Sequence, residues 1–283
     1  MFIIYQILSK QKLCKGTQKV IIYAPRIAAK AEPGQFIIYR LGDYGERVPL
    51  TIHDFNREKG TISIVFQEIG SSTIKLGMLK EGEFISDIAG PLGEPSRLKL
   101  YSGKKVAVIG GGLGCAIAYP QAKGLTELNA EVTLIAGFRN KELIVLENEM
   151  KAVSKRLIVC TDDGSNGVKG FVTDMLKGLL ENGEAFDHAV VIGPIVMMKY
   201  VSLLTKEYEI KTTVSMNSTM IDGTGMCGCC RISVGGEIKF ACVDGPEFDG
   251  HSVDFDEAMT RSQIYKKQER EAMCKLLGRS SNA

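Results

Sequence analysis

Short apolar-rich runs, set apart by polar and glycine-containing turns, fill the first hundred residues. Phe2–Leu8, Lys19–Ala24, Gln35–Leu41, Val48–Phe55, Thr61–Gln67 and Glu83–Ile88 are rich in β-branched and aromatic side chains. Glu32-Pro-Gly34, Gly42-Asp-Tyr-Gly45 and Glu81-Gly82 separate them as turn signals. Six such strands predict a small antiparallel barrel. One helix interrupts them near Ser72–Leu79, with hydroxyl residues placed to cap its start.

The period then changes. After the break Gly90-Pro-Leu-Gly93, Lys105–Gly110 is nearly all apolar, the texture of a strand buried on both faces of a parallel sheet. It leads into a glycine-rich turn and a helical segment, Cys115–Leu125. Glu131–Gly137, Arg156–Thr161 and His188–Gly193 repeat the strand pattern, alternating with helical stretches near Glu142–Ser154 and Gly170–Glu181. Strand–helix alternation predicts a doubly wound α/β unit. A charged stretch, Asp256–Leu277, reads as helix. The expected division is a barrel over 1–98, an α/β domain over 99–220 and a small module with a tail over 221–283.

Composition changes this picture mainly by exclusion. With 45% hydrophobic and 24% charged residues the chain is an ordinary globular one, and a net charge of +2 leaves no nucleic-acid footprint. Its apolar runs stop short of a membrane span, so no membrane insertion is expected. The N-terminal run lacks a basic segment and a small-residue cleavage site. Clustered cysteines without such a signal point to a reducing, cytoplasmic setting and to ligation rather than disulfides.

Those cysteines carry the sharpest chemistry. Asp222-Gly-Thr-Gly-Met-Cys227-Gly-Cys229-Cys230 is followed by Cys242. From Asp222, the steps to Cys227, Cys230 and Cys242 are five, three and twelve residues. With a cysteine at 222 this would be the plant-type [2Fe–2S] spacing. The glycines permit the tight backbone that must wrap a small cluster. Adjacent Cys229 and Cys230 cannot easily face one metal, so Asp222, Cys227, Cys230 and Cys242 are the expected ligands. A zinc site built from Cys227, Cys229, Cys230 and Cys242 stays open, as does a set of unligated thiols with Asp222 as a turn residue.

Phosphate-binding candidates are weaker one by one. Gly111, Gly112 and Gly114 stand where a buried strand meets a helix N-terminus, the seat of a diphosphate or merely a tight packing turn. Arg139, Asp162 and the Gly193-Pro194 pair follow the next strands, at the edge where open α/β sheets bind ligands. Arg47 opens a barrel strand ahead of Thr51, and Gly70-Ser-Ser-Thr73 precedes a helix. Alone, each reads as a surface arginine and a cap. The three histidines show no metal spacing and receive no catalytic role.

Taken together, Arg47-x-Pro-Leu-Thr-Ile, Gly70-Ser-Ser-Thr, Gly90-Pro-Leu-Gly, Gly110-Gly-Gly-x-Gly, Thr161-Asp-Asp-Gly-Ser and the cysteine loop resemble the ferredoxin–NADP reductase superfamily. Within it they are similar to the dihydroorotate dehydrogenase electron-transfer subunits. That branch carries four cysteines. Asp222, with Asp244-Gly-Pro-Glu-Phe-Asp-Gly250 and Val253-Asp-Phe-Asp256, resembles instead the small subunits of NADH-dependent reduced ferredoxin:NADP oxidoreductase, also called sulfide dehydrogenase subunits. The resemblance implies FAD, a [2Fe–2S] cluster and NAD(H), with NADP(H) also open because Arg139 suits a 2′-phosphate. It implies a larger flavin and iron–sulfur partner subunit that binds NADP(H), reaches ferredoxin and bifurcates electrons. By residue, it places Arg47, Pro49, Leu50 and Thr51 on the flavin and its phosphates, and Val65, Phe66 and Gln67 along the isoalloxazine or ribityl chain. Gly70, Ser71, Ser72 and Thr73 would seat the FAD diphosphate, and Gly111, Gly112, Gly114, Arg139 and Asp162 would flank NAD. The alternatives are a dihydroorotate dehydrogenase electron-transfer subunit and, more distantly, a zinc-stabilised nucleotide-binding module without redox activity.

Overall fold

The computed structural model describes residues 5–278. Its first part runs β1 (Ile7–Cys14), β2 (Thr17–Tyr23), a helical turn α1 (Pro25–Ala28), β3 (Phe36–Arg40), β4 (Val48–Asn56), β5 (Thr61–Gln67), α2 (Ser71–Met78) and β6 (Asp87–Leu92). The strands form one antiparallel sheet in the order β1-β2-β5-β4-β3-β6. A bridge between Gln6 and Phe84 draws its two edges together into a barrel. Alternate residues point inward. Val20, Ile22, Ile37, Tyr39, Ile52 and Ile64 are buried in one core.

Two expected strands are displaced. Phe2 and its neighbours to residue 4 lie outside the described residues, and β1 continues to Cys14. Lys10, Gln11 and Lys12 dilute its pattern because it is an edge strand, where lysines blunt unwanted pairing. The last barrel strand begins at Asp87, the stretch before it being used for the bridge to Gln6, just ahead of β1.

The second part runs β7 (Lys105–Gly111), α3 (Gly114–Glu127), β8 (Glu131–Phe138), α4 (Glu147–Ala152), β9 (Arg156–Thr161), α5 (Val172–Glu181), β10 (His188–Ile192), α6 (Ile195–Glu207) and β11 (Thr212–Ser215). A hairpin follows, β12 (Arg231–Val234) and β13 (Glu237–Phe240), then β14 (Glu247–Asp249), α7 (Phe255–Arg261) and α8 (Lys266–Leu276). The sheet order is β14-β11-β10-β7-β8-β9. All pairs are parallel except the β14 edge. One face buries α3 in a core that also takes Val65 from the barrel and Leu98 from the connection. The other face buries side chains of α5, α6 and α7.

α6 and β11 have no counterpart among the expected elements. The Met197-Met198 pair reads as generic core without its helical context, and β11 has only four residues. The tail, expected as one helix, breaks between Arg261 and Lys266. Its first half packs on α6 and β12 and its second half against α2 of the barrel.

Candidate functional site

The cysteine loop sits on the barrel. Cys230 and Cys242 are buried with Met220 and Ala241 against Phe36 and Ile38 of β3. Gly223 has φ +76°, and a Cβ there would stand 2.7 Å from Leu92 Cδ1 and 2.9 Å from Ile38 Cδ1. A side chain at 223 would therefore lift the loop off β3. Burial, followed by the neighbouring Cys230 thiol, pushes the Cys242 thiol up to about 12. Cys227 is exposed, and the backbone N–H of Cys229 holds its thiol below the ordinary range. The Asp222 carboxylate accepts hydrogen bonds from the backbone of Thr224 (2.8 Å) and Cys227 (2.9 Å). These contacts lower its pKa, the Thr224 contact most.

Among the described residues, no three His, Cys, Asp or Glu side chains stand close enough to hold one metal ion. The donor chemistry nevertheless suits an iron–sulfur cluster: a carboxylate and two thiols on one glycine-rich loop and a third thiol, Cys242, just past the β12–β13 hairpin, with Cys230 and Cys242 on an apolar floor. Ligation would bring the exposed Cys227 side to the buried Cys230–Cys242 side. Asp222 would then exchange at least one backbone contact for the metal.

On the barrel, Thr51 lies opposite Phe36 across β3 and β4, and Arg47 is exposed just before β4. Pro49 and Leu50 are half-buried beside them. Phe66 points into the barrel core and Val65 into the core shared with α3, so Phe66 offers a flavin only its backbone. Gly70 is the N-cap of α2, and Thr73 Oγ1 accepts from the Gly70 N–H at 3.1 Å. Ser72 donates its hydroxyl hydrogen bond to Glu46. A Cβ built on Gly70 would meet only Thr73 Oγ1, at 4.0 Å, so the helix entrance is open to a ligand. The Tyr39 hydroxyl is buried nearby without a hydrogen-bond partner. These features fit a flavin phosphate seat.

At the other sheet, parallel pairing aligns the loops. Gly111 pairs with Gly137, Phe138 with Thr161, and Gly110 with Ile192. Gly111, Gly112, Arg139, Asp162 and Gly193 therefore share one carboxyl edge. A Cβ at Gly114 would stand 2.2 Å from the Ile192 carbonyl oxygen, so only glycine lets α3 start this close to β10. A Cβ at Gly112 would meet nothing within 4 Å, leaving the cradle open above the backbone. Arg139 and Asp162 are exposed beside it, as is Pro194. This edge fits a dinucleotide phosphate.

Two buried polar groups tie these regions together, and the sequence pattern assigns neither a role. His53 on β4 donates from Nδ1 to the carbonyl of Ala116, in the first turn of α3, at 2.7 Å. Its ring lies 5.0 Å from that of Tyr119, and Asp54 beside it pairs with Lys123 at 3.0 Å. Burial lowers the His53 pKa to about 4. Glu247 on β14 accepts from Ser96 and from Gln121 of α3, both at 2.5 Å. Burial raises its carboxyl pKa. Its position two past Thr51 is the only sequence clue to His53, and Glu247 has none beyond the family segment around it.

A family model describing the iron–sulfur cluster binding domain of dihydroorotate dehydrogenase B matches residues 217–254. A Thermotoga maritima protein described as a dihydroorotate dehydrogenase B (NAD(+)) electron transfer subunit homolog is 43% identical, over 94% of this chain and 93% of its own. The chain belongs to the family of dihydroorotate dehydrogenase B electron-transfer subunits. A Clostridium beijerinckii protein described as an uncharacterized protein in the adh 3' region is 49% identical over 95% of this chain and 93% of its own. A solved structure of the NADH-dependent reduced ferredoxin-NADP oxidoreductase, studied for flavin-based electron bifurcation, superposes with a TM-score of 0.92 at 40% identity. The match covers 98% of this chain and 99% of that one. The family's architecture therefore spans essentially the whole chain. No helix among the described residues is long and apolar enough to cross a membrane.

Proposed function

We propose that this chain is the electron-transfer subunit of an electron-bifurcating ferredoxin:NADP oxidoreductase. It moves electrons between NAD(H), FAD and a [2Fe–2S] cluster, and on to a larger partner subunit that binds NADP(H) and meets ferredoxin. The observation that carries this reading is the end-to-end match to the bifurcating enzyme's chain. Asp222 at the first ligand position supports the same choice. When bound, the flavin supplies the exchange between two-electron and one-electron chemistry that links a nicotinamide to an iron–sulfur centre.

The protein's own residues bind and orient. Arg47, exposed and without an ion-pair partner among the described residues, anchors the flavin with Pro49, Leu50 and Thr51. Val65, Phe66 and Gln67 line it, Phe66 by backbone. Gly70, Ser71, Ser72 and Thr73 receive its diphosphate. Gly111, Gly112, Gly114, Gly193 and Pro194 receive the nicotinamide dinucleotide, with Arg139 and Asp162 beside them. Asp222, Cys227, Cys230 and Cys242 hold the cluster. The units are residues 1–98, 99–220 and 221–283. A cytoplasmic location belongs to the same proposal, supported by eight free cysteines.

A second reading, electron transfer to a dihydroorotate dehydrogenase, is favoured by the name of the Thermotoga homolog and by the matched cluster domain. Two measurements on protein from the native host decide. The visible and low-temperature EPR spectra should show flavin and a reduced [2Fe–2S] signal, whereas their absence would return the loop to zinc. Mass spectrometry of the co-purifying subunit should identify a larger flavin and iron–sulfur protein. A dihydroorotate dehydrogenase there would overturn bifurcation while keeping electron transfer.

A further inference from the structure

We infer that Arg261, at the end of α7, is a positioning residue for the iron–sulfur site: it pins the turn between two ligands, and its charge raises the reduction potential of the cluster they hold. This rests on the cluster reading above. The Arg261 guanidinium donates from Nη2 to the Cys229 carbonyl at 3.1 Å. Cys229 stands between Cys227 and Cys230, so the bond holds the middle of the turn that must close on metal.

The reach of Arg261 is fixed by the fold. Asp254 caps α7, its carboxylate accepting from the Glu257 N–H at 2.9 Å. Phe255 and Ala258 bury one face of this helix, and Arg261, one turn past Ala258, continues that face toward the loop. β12 begins right after Cys230 and is tied to the chain entering α7. The Gly235 N–H donates to the Ser252 carbonyl at 2.8 Å, and the Asp254 N–H donates to the Ser233 carbonyl at 2.9 Å. Helix and ligand turn therefore share one frame.

The charge has no counter-ion. Arg261 is half-buried, yet among the described residues no carboxylate lies within ion-pair distance of it. A cavity of about 300 Å³ beside it is lined by Cys227, Cys229, Arg231 and Ser262, and by no Asp or Glu. Withdrawing a cation from water without a partner is costly. A cluster held by thiolates and a carboxylate is anionic and supplies that partner, and one-electron reduction adds a further negative charge. A nearby cation favours the reduced form, which raises the potential. A unit charge this close, in the effective dielectric of a protein surface, shifts such an equilibrium by about tenfold.

The test is a redox titration of full-length protein with its cluster assembled, followed by low-temperature EPR, with iron content measured alongside. Wild type, Arg261→Gln, Arg261→Lys, Arg261→Ala and Arg231→Gln are compared. Arg261→Gln keeps an N–H donor but not the charge. It should retain iron and accept its electron about tenfold less readily, a fall of about 59 mV. Arg261→Lys keeps the charge and should stay near wild type. Arg231→Gln removes an exposed charge that solvent screens, and should move the potential much less. Arg261→Ala removes the donor as well and should release iron to a chelator faster than Arg261→Gln. An unmoved potential in Arg261→Gln, a fall as large in Arg261→Lys, or an equal shift in Arg231→Gln overturns the tuning role. Loss of iron from Arg261→Gln overturns it too, and equal release rates overturn the pinning. A wild-type chain with no [2Fe–2S] signal overturns the cluster reading itself, and this inference with it.

Discussion

His53 should make the fold acid-sensitive by an amount that can be isolated. The perturbation is His53→Asn, which keeps an N–H to donate to Ala116 and removes the titration. The imidazole is 2% exposed and titrates at about 4 in the fold, against 6.5 for an ordinary histidine. Burial is the first cause. Lys19 acts in the same direction, whereas the Ala116 contact, Asp54 and Glu149 oppose it. The folded pKa is depressed, so below pH 6.5 the unfolded chain takes up a proton that the folded chain refuses. Stability is complete above that pH and is lost between 6.5 and 4. Each tenfold drop in proton affinity is worth about 1.4 kcal/mol, so the full loss approaches ~3 kcal/mol, with about 2 kcal/mol gone by pH 5. His188, buried and likewise lowered to about 4, adds the same sign, and Glu247, raised by burial, adds the opposite one. Both cancel when variant and wild type are compared at each pH. The assay is urea unfolding at pH 7.5 and 5.0, both proteins in the same cofactor state. It is followed by far-UV circular dichroism and by the fluorescence of nine tyrosines, unobscured by any tryptophan. Wild type should lose about 2 kcal/mol more than His53→Asn on going to pH 5. Equal losses would show that the buried imidazole does not resist protonation and that burial does not set its pKa.

The other predictions concern the cofactor sites. Iron content should survive Cys229→Ser and fall in Cys227→Ser, Cys230→Ser and Cys242→Ser; loss in Cys229→Ser means the ligand register is wrong. Asp222→Cys should keep a cluster but move its reduction potential, since an oxygen ligand is harder and donates less charge than a thiolate; an unmoved potential returns Asp222 to its role as acceptor for Thr224 and Cys227. Arg47→Ala should weaken FAD by roughly ten- to a hundred-fold, the ~1.5–3 kcal/mol of a charge-assisted bond; full occupancy after extensive dialysis counts against the anchor. Gly114→Ala should weaken NADH binding and lower the melting temperature, because its Cβ meets the Ile192 carbonyl at 2.2 Å; an unshifted melting curve contradicts the close approach.

Much of this architecture was legible because its signals are local. β5, for instance, spans Thr61–Gln67 and β9 Arg156–Thr161, as their branched runs bounded by turns predict. The cysteine loop is likewise a spacing within one stretch of chain. What escaped depends on partners far apart in sequence. His53 becomes an inter-element contact only when α3 is laid across β4, 63 residues away. Glu247 reads as one acidic residue among several until Ser96 and Gln121 close on it. The break between α7 and α8 is set by two docking surfaces, and neither is written in the helical period of Asp256–Leu277.

The antiparallel edge strand has a consequence for biosynthesis. β14 completes the nucleotide sheet, yet it follows the cysteine loop in the chain. The Met216 N–H donates to the Pro246 carbonyl at 2.8 Å, so the loop is pinned at both ends by that same sheet. On the ribosome the barrel can close long before, but β11 keeps an open edge until residues 247–249 have emerged. Domains generally fold in order of synthesis. Here the second can finish only after every candidate cluster ligand has left the exit tunnel. Sealing the sheet and presenting the ligands for metal thus become one late event.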